Sequence, residues 1–561
     1  MDVSEMQKKL SQWATENPEG QYRELYHLLC EEIWLRVAHH SVNANQGRET
    51  AGIDGETMSN FNGDADGNIK RLQEALKTRT FEPVPVRRVY IPKAHGKKRP
   101  LGIPTINDRI VQEALRMILE PIWEANFCHR SYGFRPNLST YDAISYLCNR
   151  LAGPSGATYQ WVIEGDIARY FDTIPHRRLI KAVKKRVADR DIRDLLWKFL
   201  RAGVMEQGTQ YETLTGTPQG GIASPLLANI YLDELDKYME SNYLSIERHE
   251  KERRRKKGIG NYLYVRYADD FVVLCNGTKA EALAMKEELR SILSQMGLTL
   301  SEEKTKVTHI TEGFQFLGFW VERSIGTRGM MVPKVLIPES AIKRFRHKVR
   351  EIVAPNTTNE STSTKIIALN RLMSGWCQYY SCTSSPSITF RKLDPEVFWG
   401  MAHWLGRKYK LNMPDIMRKF RKGNTLGTDK RTLARATDYK AKKRLVKTWY
   451  NPYTKTEKIT EEKDRINRER LFSYDKIWHG NDNRPGRMDL REEAILLKGT
   501  ICNICKNGPF HPSEVQVDHI TPRARFKDPT EADSMNNLQI LCTSCNRAKT
   551  KIDLKVLSRM R

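Results

Sequence analysis

Three aspartates in this chain have the types and spacing that could hold divalent cations: Asp166, Asp269 and Asp270. The last two are adjacent in RYADDF (266–271), between the apolar runs YLYV and VVLC. Asp favours turns, so a plain β-hairpin tip is one reading of the pair. A metal site mounted on that hairpin is the other. Asp166 could supply a third carboxylate, because the apolar stretch WVI delivers it on a strand and a helix-like segment follows. Mg²⁺ prefers carboxylate oxygens and keeps waters. Two such ions serve nucleotidyl transfer, one activating a 3′-hydroxyl and one clamping a triphosphate. Two or three aspartates on neighbouring strand ends are the minimal ligand set for that chemistry.

A second constellation lies near the C-terminus. Cys502 and Cys505 form one CxxC pair and Cys542 and Cys545 another, with 36 residues between the pairs. Four thiolates at this spacing can hold a structural Zn²⁺ tetrahedrally, in place of a core that about 70 residues can hardly build. Cys30, Cys128, Cys148, Cys275, Cys377 and Cys382 are scattered in apolar company and are expected to be reduced core thiols. Between the CxxC pairs, VDHI sets Asp518 beside His519, and Asn537 lies nine residues before Asn546, which follows the second pair.

The elements that position these residues follow from pattern. At 561 residues, a prior of about 150 per domain gives roughly three or four domains. The net charge of +26 calls for a polyanionic partner, nucleic acid first and an anionic membrane surface second. No apolar run reaches the ~18–20 residues of a membrane span. The N-terminus MDVSEMQKKL carries neither a signal nor a transit pattern, so a cytoplasmic protein without a membrane partner is expected. Residues 80–325 alternate strands and helices without a strict βαβ repeat. Ser224 is expected to cap the helix LLANIYLDELDKYM, with Pro225 at its first position. KERRRKK (251–257) reads as part of an exposed insertion, and PNTTNESTSTK (355–365) as a polar linker. Residues 407–475 are very basic with interleaved aromatics.

Taken in order, these stretches carry a resemblance. GDIARYFDTI resembles the first catalytic motif of reverse transcriptases, TPQGGIASPLLANIYLDELD the nucleotide-pocket motif and YADD the second catalytic motif. RPLGIP and RSYGFRP precede them, and GLTLSEEKTKV and FQFLGFW follow, in family order. The chain resembles a group II intron-encoded reverse transcriptase. That resemblance implies Asp166, Asp269 and Asp270 as metal carboxylates, with Asp270 the least direct ligand. It implies Phe171 as a steric gate against a ribose 2′-hydroxyl, Lys93 and Arg99 on the triphosphate, Gln219 in the dNTP pocket and Lys304 as a proton donor to pyrophosphate. LNRLMSGWCQYY (369–380) resembles the family's thumb, or maturase, domain.

The tail resembles an HNH endonuclease, a ββα-metal fold. The resemblance implies His519 as general base, since imidazole titrates near neutral pH. Asp518 and Asn546 would hold Mg²⁺ or Mn²⁺, and Asn537 would orient His519. The family often has His at the last position; Asn546 still offers an oxygen.

The expected architecture is multidomain α/β and α. It comprises an N-terminal extension and the start of the fingers (1–85), reverse transcriptase fingers and palm (86–328), thumb or maturase domain (329–406), a basic DNA-binding region (407–487) and a zinc-framed HNH domain (488–561). The expected function joins RNA-directed DNA synthesis by target-primed reverse transcription, intron splicing and second-strand nicking during retrohoming. The implied partners are intron RNA, double-stranded target DNA and dNTPs. The rivals are another class of reverse transcriptase and a splicing cofactor with a silent polymerase.

Overall fold

The computed structural model describes residues 2–92, 98–152, 159–206, 209–211, 215–217, 220–326, 329–442, 444, 446, 451–453, 494–495, 498–507, 515–522, 534–542, 545–546 and 548–549. The chain forms two compact units, Met1–Thr454 and Lys455–Arg561. No helix among the described residues is long and apolar enough to cross a membrane.

The first unit begins with helices α1 (Val3–Glu16), α2 (Glu32–Asn43) and α3 (Ala65–Lys77), which join a core built around α4 (Ile106–Glu124). Helix α4 is buried on nearly every face, its charged residues included. Its three glutamates are paired: Arg116 bonds Glu113 at 2.7 Å and also Glu120, and Arg135 bonds Glu124 at 2.9 Å. Pro121 removes the amide that would bond the Met117 carbonyl. Gln7 from α1 donates to that carbonyl instead, at 2.8 Å.

Two sheets follow. The first has the order β2-β1-β4-β5. Its strands are β1 (Val86–Pro92) and β2 (Lys98–Ile103), and, after β3 (Trp161–Asp166), β4 (Val204–Glu206) and β5 (Thr209–Tyr211). The second is antiparallel with the order β6-β7-β3-β8, from β6 (Tyr262–Tyr267), β7 (Asp270–Cys275), β3 and β8 (Lys306–His309). Both of its faces are buried, which is why its strands read as continuous apolar runs rather than alternating ones. Ile163, Tyr264, Phe271 and Val273 join the N-terminal core with helices α8 (Ser224–Met239) and α10 (Lys279–Gln295). Val162, Leu263, Val265, Val272 and Leu274 join a second core. Helix α5 (Thr140–Leu151) and the sheet of β9 (Phe314–Phe316), β10 (Phe319–Ile325) and β11 (Met331–Leu336) enter that core. So do helices α11 (Glu339–Ile352), α12 (Thr362–Tyr380), α13 (Pro386–Tyr409) and α14 (Met413–Phe420). On the outer surface lie α6 (His176–Lys184), α7 (Arg190–Arg201) and α9 (Arg248–Lys256).

Two expectations change, and the exposed insertion takes a helical form. The polar stretch 355–365 is a packed connection rather than a linker. Ser361 accepts from the Thr364 amide at 3.0 Å and caps α12, while the Trp404 indole donates to Thr357 Oγ1 at 3.1 Å. Ser, Thr and Asn are capping residues as well as linker residues. The insertion is ordered as α9. Helix α8 starts at Ser224 with Ala223 in the cap position, one residue earlier than expected, and Pro225 still lies in the amide-free first turn.

One ion pair sits between β6 and α8. Arg266 and Asp236 both have fully buried side chains, and the guanidinium grips both Asp236 oxygens through Nε and Nη2. Tyr264 Oη donates to the same carboxylate at 2.9 Å. Removing one partner strands the other charge in the core, at about 3–5 kcal/mol. Arg266→Met should therefore lower the denaturant-unfolding free energy by that amount, and adding Asp236→Leu should restore much of it. A single variant as stable as wild type would deny the pair this role.

Candidate active sites and metal centre

The register of the buried sheet gathers the three aspartates. Asp166 ends β3 and lies directly across the ladder from Asp270, the first residue of β7. Tyr267 pairs with Asp270 across the β6–β7 hairpin, which leaves Ala268 and Asp269 as a two-residue turn. Ala268 has φ +56°, in the left-handed region that such turns require and that costs a side chain roughly 1–2 kcal/mol. The surroundings hold it there. Arg266 Nη1 donates to the Ala268 carbonyl at 2.9 Å and to Asn229 Oδ1 at 3.0 Å. Asn229 in turn donates to the Gly133 carbonyl at 2.8 Å. Gly133 lies so close that a Cβ there would meet the Ala268 nitrogen at 2.3 Å.

The carboxylates burden one another. Burial, then the charges of Asp269 and Asp166, push the Asp270 carboxyl up to about 7. Burial chiefly, and then Asp166, raise Asp269, while Lys304 and Arg99 oppose the rise. Lys304 Nζ donates to both Asp166 oxygens at 2.8 Å. A half-buried carboxylate trio that already attracts a lysine fits a pair of hard cations, which would relieve the same repulsion.

Other expected residues fall around this cluster. Phe171 follows Asp166 by five residues, and its ring meets Phe134 edge-on at 6.3 Å. The Thr217 amide donates to the Phe171 carbonyl at 2.7 Å, and Gly216, at φ +93°, has no room for a Cβ beside that same carbonyl. This ties the Gly/Pro loop to the segment after Asp166. Lys93 and Gln219 lie outside the described residues. A cavity of about 500 Å³ runs from Asp166, Asp270 and Lys304 to Gln315, Leu317 and Trp320. Helix α12 braces its far wall, since Tyr379 Oη donates to the Leu317 carbonyl at 2.6 Å. Arg266, Asp236, Asn229 and Gly133 were missed by sequence reasoning. The signal lay in LLANIYLDELD, where Asn229 and Asp236 are seven residues apart on one helical face.

The second unit contains strands β12 (Val515–His519) and β13 (Leu538–Cys542), paired antiparallel with His519 opposite Leu538. Cys502, Cys505, Cys542 and Cys545 bring all four sulfurs within 4.8 Å of one another. Tetrahedral Zn–S bonds near 2.3 Å would place sulfurs roughly 3.8 Å apart, so the cluster fits such an ion. Asn503 fixes the first CxxC loop to β13, its amide donating to the Ile540 carbonyl at 2.7 Å and its Oδ1 accepting from the Ile540 amide at 2.9 Å. Asp518 pairs with Lys549 at 3.0 Å, and Asn546 donates to Gln516 Oε1. Asn537 Oδ1 accepts from the Thr521 amide at 2.9 Å, and Nδ2 donates to the Thr521 carbonyl at 3.1 Å, bracing the turn just after His519.

Comparison with known proteins identifies three domains in the chain. Residues 91–321 match the family model for reverse transcriptase (RNA-dependent DNA polymerase), 342–422 the group II intron maturase-specific domain and 502–551 HNH endonuclease. Protein YkfC of Escherichia coli K12 is 39% identical over 62% of this chain and 95% of its own length. The group II intron-encoded protein LtrA of Lactococcus lactis subsp. cremoris is 33% identical over 67% of this chain and 74% of its own. Nuclear intron maturase 2, mitochondrial, of Arabidopsis thaliana is 28% identical over 37% of each chain. The chain belongs to the group II intron-encoded proteins and carries reverse transcriptase, maturase and HNH endonuclease domains.

Gly133→Ala tests the link between loop and turn. The added methyl must push on the Ala268 backbone, so cDNA synthesis should fall at least tenfold with little loss of thermal stability. Unchanged primer extension would show that the turn tolerates displacement.

Proposed function

We propose that this protein copies intron RNA into a nicked DNA target by target-primed reverse transcription, assists the splicing of that RNA, and nicks the second DNA strand through its HNH domain. The observation that carries the reading is the Asp166–Asp270 register with Asp269 in the adjoining turn, in one chain with a maturase match and a four-cysteine cluster. Residues 86–328 serve as fingers and palm, with 1–85 as an N-terminal extension packed on the fingers. The helices from 339 onward act as thumb and maturase surface. Residues 407–487 form the basic DNA-binding region, of which 413–436 also pack into the core of those helices. We propose a cytoplasmic location, where it would meet intron RNA, target DNA and dNTPs.

In the polymerase site, Asp166 and Asp269 are the principal ligands for two Mg²⁺ ions and Asp270 a secondary one. When bound, the ions supply an activated 3′-hydroxyl and charge compensation on the triphosphate. Arg99, whose charge reaches Asp269, and Lys93 orient the triphosphate. Phe171 lies under the sugar and excludes a 2′-hydroxyl, and Gln219 lines the same pocket. Lys304 has Asp166 as its resting partner and a proton to give to the pyrophosphate leaving group. In the HNH site, His519 accepts the proton of the attacking water, Asp518 and Asn546 hold one Mg²⁺ or Mn²⁺, and Asn537 fixes the backbone that follows His519. A Zn²⁺ on the four cysteines is structural.

Two experiments test this. Asp269→Ala should abolish cDNA synthesis and spare nicking, and His519→Ala should do the reverse; loss of both activities from either change, in a folded protein, would refute the assignment. The raised Asp270 carboxyl also sets a pH dependence. Below about pH 7 it holds a proton that a cation must displace. The Mg²⁺ concentration for half-maximal cDNA synthesis should therefore rise by up to about tenfold per unit of acidification below pH 7, and flatten above it. A requirement constant from pH 6 to 8 would show that Asp270 holds no proton in that range.

A further inference from the structure

The segment from Phe171 to His176 and the Gly/Pro loop at 215–217 are stitched together through their backbones. The Thr217 amide donates to the Phe171 carbonyl at 2.7 Å, and the Gly216 amide to the Ile174 carbonyl at 2.8 Å. Thr215 Oγ1 donates to the Asp172 carbonyl at 3.1 Å, and Pro175 and Thr215 form an antiparallel bridge. Gly216 and Thr217 are buried, so their backbone polar groups need partners. The Gly216 carbonyl finds its partner in a side chain: His176 Nε2 lies 2.6 Å from it. A carbonyl only accepts, so the imidazole is the donor and carries its proton on Nε2.

His176 is committed to this bond. It is buried at the start of α6, and Trp197 of α7 meets its ring edge-on at 6.2 Å. Burial pulls the imidazole below its ordinary pKa, while the bond to Gly216 opposes the fall. The ring is therefore neutral near pH 7, and its one N–H is spent on Gly216. The loop is held from other sides as well. The Ile222 amide donates to Gln112 Oε1 on α4 at 2.8 Å, and a Cβ at Gly220 would meet the Gly102 carbonyl of β2 at 2.3 Å. Strand β2 carries Arg99. The loop thus lies between the strand with Arg99 and the segment with Phe171. Among the described residues, His176 is the side chain of 171–176 that bonds it.

We propose that His176 is a positioning residue for nucleotide selection: by holding the Gly216 carbonyl it fixes the pocket loop against Phe171, and with it the room left at the sugar 2′ position. The proposal rests on the reading of Phe171 as the gate and of the loop as the nucleotide pocket. A steric gate discriminates only while it cannot recede, because a hydroxyl is small and a slack wall accommodates it. The Phe171 ring does little to clamp itself. It is half-buried, and its ring contacts are edge-on, to Tyr170 at 5.5 Å and to Phe134, which is itself 51% exposed. Its position is set through its backbone, and that backbone is bonded to the loop that His176 holds.

Substitutions at His176 in the full chain separate the bond from the ring. A glutamine amide reaches as far as Nε2 does, an asparagine amide falls short, and phenylalanine keeps the ring without the donor. The assay is primer extension on an RNA template, with dNTPs and rNTPs offered separately. His176→Asn and His176→Phe should each raise KM for dNTP, and lower the preference for dNTP over rNTP, by about tenfold, with kcat for dNTP nearly unchanged. His176→Gln should match wild type in both, and its pH profile should overlay that of wild type. These two donor-less or short variants differ in bulk, so either decides if the other does not fold. The reverse pattern, with His176→Phe like wild type and His176→Gln defective, would overturn the proposal in favour of packing by the ring. Phe171→Ala separates the proposal from the reading beneath it. If that change relaxes discrimination while His176→Asn and His176→Phe do not, the gate stands and the role of His176 falls. If Phe171→Ala leaves discrimination intact, the gate reading falls and the proposal with it.

Discussion

The buried pair of Arg266 and Asp236 is the interaction on which the candidate polymerase site depends. Its guanidinium spends two nitrogens on Asp236 and a third on Asn229 and the Ala268 carbonyl. One planar group thus joins α8, β6 and the catalytic turn. A lysine could not do this, because its ammonium lacks the fixed fork. The pair is costly to desolvate and could be matched in stability by apolar side chains. What apolar side chains could not supply is direction. The turn carries Asp269 and begins β7 with Asp270, so an error in its position moves two carboxylates relative to Asp166.

The same sheet explains why repelling carboxylates can be kept together at all. Both of its faces are buried in separate apolar cores. That burial offsets the electrostatic cost at one end of the strands, where Asp166, Asp269 and Asp270 meet. Lys304 and Arg99 return part of that cost without neutralising it. The site is left acidic, rigid and partly desolvated, which are the conditions in which a hard cation is held by position rather than by the chain folding around it.

Much of this was legible from residue types. The strand before Asp166 and the hairpin around Asp269 declare themselves as apolar runs broken by acids, and the CxxC pairs declare their cluster by spacing. The bracing was not legible. Arg266 stands in the very hexapeptide that draws attention, but its partner is 30 residues upstream on a helix, and no local pattern joins them. Gly133 looks like any loop glycine until the Ala268 backbone is seen against it. The stretch 355–365 was misread because the residues that cap helices are those that make linkers.

The two units solve the problem of holding metal in different ways, and the difference bears on how their activities relate. The first unit has large cores and can support oxygen ligands that do not stabilise the fold. Among the described residues the second has a small apolar cluster around Val515, Leu538 and Ile540, and an ion held by its four thiolates would contribute folding energy. A thiolate cluster and a carboxylate cluster select different ions, soft-tolerant Zn²⁺ against hard Mg²⁺. On the proposed reading, removing a Zn²⁺ from the thiolates would act on nicking through the fold of the second unit, whereas depleting Mg²⁺ would act on chemistry. The activities need no shared metal and no shared side chain. On the proposed reading, what joins them is the target DNA on which both act.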